Sequence, residues 1–202
     1  VRKILDNKGY FGFLSIPNHP NSIIGQSYNG FTVFQKNENT LIFKNSVAGF
    51  EETTNTFETF IDENFLWLKK NQSLYQMKLS DDLNKFEQIK VHSQVSENYK
   101  GIGSIQKLKG KIYFQTKNHF YRYSKEQEIF FEDRKMSLLF KNIPKVNTVI
   151  EDKYENIWYS YNDALGVLKK NKNGTYTKKQ TAFSNLSGNL VNDYISINAV
   201  NQ

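Results

Sequence analysis

The chain contains no cysteine. That excludes disulfides, thiolate metal sites and a cysteine nucleophile together. It leaves the compartment open, because a large β-domain needs no covalent staple. Arginine is nearly as scarce: only Arg2, Arg122 and Arg134 occur among 27 basic residues. Recognition of phosphate or sulfate leans on the planar, bidentate arginine fork. The net charge of +7 therefore reads as a lysine-rich solvated surface with acids interspersed, and no nucleic acid is expected as a partner. No apolar run approaches the ~18 residues of a membrane span, so no membrane contact is expected of this segment. Helical periodicity is weak throughout, and Met136 to Phe140 is too short to argue a helix. Val1 to Leu5 carry neither an initiator methionine nor a signal-peptide stretch. The expectation is a stretch from the middle of a longer chain.

What is present is aromatic and β-branched residues at regular intervals. Aromatics make up 15%, a composition that suits pleated surfaces. Ile23-Ile24-Gly25, Leu66-Trp67-Leu68, Ile112-Tyr113-Phe114 and Ile157-Trp158-Tyr159 are each followed by a polar turn and a second anchor. The second anchors are Phe31, Leu74, Phe120 and Leu165, always seven residues on. Successive copies lie 43, 46 and 45 residues apart. Around these anchors the alternation and turn residues predict four sets of four strands, at about 10–45, 56–91, 102–132 and 146–178. Asp62-Glu63-Asn64 and Asn71-Gln72-Ser73 are turns by composition, and Lys109-Gly110 and Asn173-Gly174 are two-residue hairpin signals. Residues 194–200 read as the start of a further set.

Four-stranded units at this period predict an all-β chain built as a β-propeller of antiparallel blades. Each blade is a twisted sheet that buries its faces against its neighbours. Residues 1–202 are expected to form a single segment of an incomplete propeller, excised from a larger one or left as an open arc. A closed four-bladed ring with loose ends is the alternative. Trp67, Tyr113 and Trp158 are expected to pack blade on blade, and exposed end faces could drive homodimer formation.

A search for chemistry finds little. His19, His92 and His119 fall at non-equivalent places without a ligand-spaced partner, so no metal is expected. Glu51-Glu52, Asp62-Glu63, Asp81-Asp82 and Glu151-Asp152 are neighbours whose side chains diverge, whereas acid–base catalysis needs two converging on one bond. Asp81 to Asn84 lacks the alternating donors and glycine of a calcium loop. Gly101-Ile102-Gly103 is only a fragment of a phosphate loop, and no serine sits in a nucleophile elbow. No catalytic residue and no cofactor is expected. Propeller topology puts the loops between second and third strands on the same end as the connections between blades, the end that commonly takes ligands. This makes Tyr28, Asn29, Asn71, Asn118, His119, Asn162 and Asp163 the candidate ligand-binding residues. Asparagine in such turns is equally explained by its tolerance of left-handed backbone.

The segment from Val149 to Trp158 resembles the two-component regulator propeller repeat. That repeat has an acidic residue, a short turn ending Gly-Asn, an aliphatic residue and Trp, then a turn and Gly-Leu. Here Glu155 stands where glycine is usual and Ala164-Leu165 where Gly-Leu is usual. Asn29-Gly30-Phe31 keeps the second turn better, and Leu108 to Tyr113 keeps the first. The resemblance implies the sensor region of a hybrid histidine kinase or related regulator, common in Bacteroidetes. Such regions form seven-bladed propellers outside the cytoplasmic membrane, followed by a small β-sandwich, a membrane span and the signalling output. It implies a non-catalytic, ligand-sensing or protein-binding role in signal transduction, a periplasmic location, and a glycan fragment or partner protein as the ligand, with further blades in the full-length chain. The alternatives are a scaffold propeller of a cell-envelope or secretion assembly and, third, a propeller glycosidase or lyase.

Overall fold

The computed structural model describes residues 9–38, 40–50, 59–63, 65–96, 99–100, 103–117, 119–143, 146–161 and 164–179. The further set expected at 194–200 lies outside them. The chain divides into two compact units, Val1–Ile102 and Gly103–Gln202. Each unit contains two four-stranded antiparallel sheets in which consecutive strands are neighbours, the meander of a propeller blade.

In the first unit, β1 (Tyr10–Ile16), β2 (His19–Ser27), β3 (Gly30–Asn37) and β4 (Thr40–Val47) make the first blade. The expected Pro17 to Pro20 loop narrows to the two residues Pro17 and Asn18, and Pro20 enters β2. The β1–β2 pairing slips beside it, between Ser15 and Ile16, as suits a residue with no N–H to offer the ladder. The second blade is β5 (Thr59–Asp62), β6 (Phe65–Lys70), β7 (Ser73–Leu79) and β8 (Phe86–His92). A short ribbon not legible in the sequence follows, β9 (Gln94–Ser96) with β10 (Tyr99–Lys100).

Period-two alternation decides the packing of this unit. Ile24, Phe31 and Val33 of the first blade meet Leu66, Leu68 and Met77 of the second in one buried cluster. Each such side chain stabilises the pair by about 1.5–3 kcal/mol relative to exposure. Phe31 and Phe86 meet edge to face with centroids 5.5 Å apart. The chain leaving β4 is also stitched to the start of β8: Ala48 N–H donates to Asn84 O (2.8 Å) and Phe86 N–H to Ala48 O (2.9 Å).

The second unit repeats the plan with β11 (Ser104–Leu108), β12 (Lys111–Thr116), β13 (His119–Ser124) and β14 (Ile129–Glu132) in the third blade. The fourth blade is β15 (Thr148–Glu151), β16 (Ile157–Tyr161), β17 (Ala164–Lys170) and β18 (Tyr176–Lys179). Between them runs α1 (Arg134–Leu139), for which the sequence offered no periodicity. Asp133 caps it by accepting from Met136 N–H at 3.0 Å. The helix survives at this length because tertiary packing supports it. Met136, Phe140, Ile143 and Val146 are buried with Tyr113, Phe120 and Tyr159 in the core of the unit. The two-residue hairpin expected at Asn173-Gly174 is a longer loop: Asn171 N–H donates to Thr175 O at 2.8 Å, and Gly174 takes φ +79°. One residue in left-handed backbone closes a three-residue loop of this kind.

The second and third strands share one register in all four blades. The last pairs are Ser27 with Gly30, Lys70 with Ser73, Thr116 with His119 and Tyr161 with Ala164. Each leaves a two-residue connection. The seven-residue anchor spacing is therefore a hairpin register repeated four times.

That register also sets which side of its sheet each anchor takes. Ile24 and Tyr113 point into the core of their own unit. Trp67 and Trp158 occupy the same repeat position but lie on the opposite side of their sheets from that core, because the second blade of each unit uses Leu66 and Leu68, or Ile157 and Tyr159, to meet the first. Trp67 is buried and stacks on His92 with centroids 6.0 Å apart. Trp158 is only half-buried and is held by a carboxylate instead.

Candidate functional site

The end of the blades carrying the connections between second and third strands is where sequence reasoning placed ligand contact. In the first unit its geometry is as topology requires. The β2–β3 turn abuts the chain passing between blades, so that a Cβ on Gly30 would lie 2.7 Å from Phe50 O. Gly30 also takes φ +102°, backbone that disfavours any side chain. Ser27 Oγ donates to Gly30 O at 3.2 Å and accepts from Asn29 N–H at 3.3 Å, bracing the turn from inside. Tyr28 is thereby held outward, 56% exposed, with Asn29 exposed beside it. Asn71 is exposed and takes φ +55°, so the backbone reading of this asparagine holds.

In the second unit His119 sits at the equivalent end of the third blade. Its Nδ1 lies 2.8 Å from Glu132 Oε1. That hydrogen bond is the main cause holding the Glu132 carboxyl below its ordinary range, against a smaller opposing effect of burial. Next to this pair, Ser137 of α1 accepts from the buried Phe120 N–H at 3.0 Å, so the helix seals this end of β13. Asn118, Asn162 and Asp163 lie outside the described residues.

Two polar contacts at this end had not been singled out. Gln26 and Gln115 fall at the same repeat position, two residues after the first anchor, and both are buried. Thr59 Oγ1 donates to Gln26 Oε1 at 2.7 Å, joining the first two blades. Ser104 Oγ donates to Gln115 Oε1 at 3.1 Å, while Gln106 Nε2 reaches Asn147 O of the fourth blade at 2.9 Å. Their common offset from the anchors was the available signal. Gln26 and Gln106 thus orient neighbouring sheets, while Gln115 braces its own, because each buried amide must find a partner once removed from water.

The segment that carries the family resemblance folds into a closed turn. Asp152 Oδ1 accepts from Tyr154 N–H and Asn156 N–H, and Oδ2 from Asn156 Nδ2 and the Trp158 indole N–H, all at 2.9 Å. Asn156 Oδ1 in turn accepts from Lys170 N–H at 2.9 Å, tying the turn to β17. Burial alone would push the Asp152 carboxyl up, but these donors outweigh it and hold the group below the usual range. Glu155 takes φ +60°, the left-handed geometry that explains why glycine is usual there. It pairs with Lys170, and Lys109 stands 3.7 Å from its carboxylate.

Asp82 serves a similar local purpose, accepting from Ser80 Oγ at 2.7 Å and Asn84 N–H at 3.3 Å. Among the described residues no group of three or more His, Asp or Glu side chains is placed to hold a metal ion. Among the same residues no helix is long and apolar enough to cross a membrane.

No protein-family model matches the chain, and no curated protein matches it. Among solved structures, it is similar to a catalytically inactive virginiamycin B lyase from Staphylococcus aureus, determined with quinupristin. The identity is 14% and the TM-score 0.47, over 88% of this chain and 58% of the lyase. It is also similar to the extracellular domain of a one-component system from B. thetaiotaomicron, at 17% identity and TM-score 0.45, over 85% of this chain and 22% of that one. The extracellular domain of a hybrid two-component system from the same organism is similar at 14% identity and TM-score 0.44, over 89% and 24%. This chain spans less than two thirds of the lyase and less than a quarter of either extracellular domain.

Proposed function

We propose that this chain is a non-catalytic propeller segment of a bacterial signal-transduction protein, sensing a ligand or binding a protein outside the cytoplasm. The observation that carries this reading is the Asp152–Trp158 turn. The residues from Asp152 to Trp158 that resemble the two-component regulator propeller repeat act together as one hydrogen-bonded unit, and Glu155, which stands where glycine is usual, takes left-handed backbone that suits a glycine.

Two further features support a binding role over catalysis. Asp82, Asp133 and Asp152 direct their oxygens to N–H groups of their own turns, and His119 is engaged by Glu132. Tyr28, by contrast, is an exposed aromatic on a braced turn with an exposed amide neighbour, a pairing suited to the apolar face and hydroxyl rim of a sugar. A glycan fragment is the ligand class this favours. Binding would act on an output region through differential affinity for two states of the propeller. Isothermal titration of the full-length protein against a panel of oligosaccharides tests this. A saturable heat for one member is the expected result, and silence across the panel from folded protein would remove the glycan reading.

A further inference from the structure

Asparagine is followed by glycine twice in the chain, at Asn29-Gly30 and Asn173-Gly174. The dipeptide is chemically labile, because a glycine nitrogen can reach the preceding side-chain carbonyl carbon with no Cβ in the way. Whether it does so depends on the freedom the fold leaves to both groups. The two copies differ in that respect.

In the β17–β18 loop, residues 172–175 are all exposed. Asn173 Oδ1 accepts from Thr175 N–H at 3.1 Å and from the Thr175 hydroxyl at 2.6 Å. A backbone N–H can only donate, so the first contact fixes which end of the Asn173 amide is oxygen. Accepting from the residue two places on folds the side chain over the intervening Gly174 peptide. Asn173 Cγ is thereby carried beside the Gly174 nitrogen. The two donors also polarise the carbonyl and favour the negative charge that develops on Oδ1 during attack. Nothing stands within 4 Å of where a Cβ on Gly174 would lie. Gly174 N–H donates to Asn171 O at 2.9 Å on the exposed surface, where water competes for it.

Asn29 is exposed as well, but Gly30 is buried. Gly30 pairs with Ser27 across the β2–β3 turn, and its carbonyl accepts from Ser27 Oγ at 3.2 Å. The connecting segment closes off its other side, with Phe50 O 2.7 Å from the place of a Cβ. Closing a succinimide ring on the Gly30 nitrogen rotates the Asn29–Gly30 peptide and swings Gly30 out of this packing.

We propose that Asn173 is a site of spontaneous deamidation, and that the fold protects Asn29 from the same reaction. The Gly174 nitrogen gives its proton to solvent base and bonds to Asn173 Cγ. The Cγ–Nδ2 bond then breaks, and the leaving nitrogen takes a proton from water and departs as ammonia. Water opens the succinimide at either carbonyl, leaving aspartate or isoaspartate at position 173. Nothing is oxidised or reduced. The isoaspartate product lengthens the backbone by a methylene. That displaces Thr175, whose carbonyl accepts from Asn171 N–H at 2.8 Å and whose hydroxyl accepts from Asn171 Nδ2 at 2.9 Å. The inference is independent of the signalling role.

The test is an incubation of the intact, folded chain at mildly alkaline pH and body temperature, followed by digestion and mass spectrometry that separates aspartate from isoaspartate. Position 173 should lose its amide faster than position 29 by about tenfold or more, the ratio set by the extra opening that Gly30 requires. In denaturant, where neither glycine is held, the two rates should converge. Amide exchange at Thr175 and Thr177 should be faster in the modified chain than in the parent. An Asn173 amide that persists in the folded chain overturns the proposal. Equal loss at both positions in the folded chain overturns it too, as does a preference for position 173 that survives in denaturant.

Discussion

The indole N–H of Trp158 donates to Asp152 Oδ2 at 2.9 Å, from one end of β16 to the turn that precedes it. This bond joins the two residues most diagnostic of the repeat, and it explains why they occur together. The carboxylate organises the turn, and the indole both satisfies the carboxylate and fixes which side of the sheet the large ring occupies.

Asp152→Asn removes a charged acceptor from four donors and should cost about 2 kcal/mol. The dependence on pH checks the assignment. The folded carboxyl is held below its ordinary range, so its stabilising contribution is present above the unfolded value near ~3.9. It is lost as pH falls through the lower folded value. Denaturant titrations below about pH 4 should therefore show the parent chain losing stability more steeply than Asp152→Asn. Parallel slopes would contradict the role given to Asp152.

Glu155 separates a backbone effect from a surface ion pair. Glu155→Ala and Glu155→Gly both lose the contacts with Lys170 and Lys109, exposed pairs worth about 0–1 kcal/mol. Only the glycine variant relieves the φ of +60°. It should be the more stable of the two by about 1 kcal/mol, measured by chemical denaturation at neutral pH.

Gly30→Ala adds a Cβ against Phe50 O in backbone with φ +102°. Both effects oppose the substitution, and a loss of about 2 kcal/mol or more is expected. Gly174→Ala shares a positive φ (+79°) but meets nothing within 4 Å, so it should cost less, about 1 kcal/mol. The difference between the two melting curves isolates the contact with the connecting segment.

Ser137→Ala removes the hydroxyl that the buried Phe120 N–H reaches at 3.0 Å. An amide left without a partner at a buried site costs about 1–3 kcal/mol. Amide hydrogen exchange at Phe120 should accelerate more than at Tyr123, further along the same strand.

Tyr28 is tested by function. It is exposed, so Tyr28→Ala should leave the melting temperature within a degree or two of the parent, about 0.5 kcal/mol at most. Affinity for an oligosaccharide found by titration should fall about tenfold, the weight of one stacked ring. Unchanged affinity would move the binding surface away from the β2–β3 turn.

The strands of the four blades, their grouping into fours and the hairpin register between second and third strands were legible in the sequence alone. These rest on local physics: alternation of apolar residues sets a period of two, and turn residues with access to left-handed backbone close each connection. The Asp152 turn was legible for the same reason, since its partners lie within six residues. Tertiary contacts alone settled that Trp158 stands on the opposite side of its sheet from the core that Tyr159 enters, that α1 wedges into the third and fourth blades, and that Gln26 and Gln106 each bond to the neighbouring blade. A strand's pattern shows that two faces differ. Which face is buried, and by what, depends on the neighbouring sheet, whose position is set by contacts far apart in the chain.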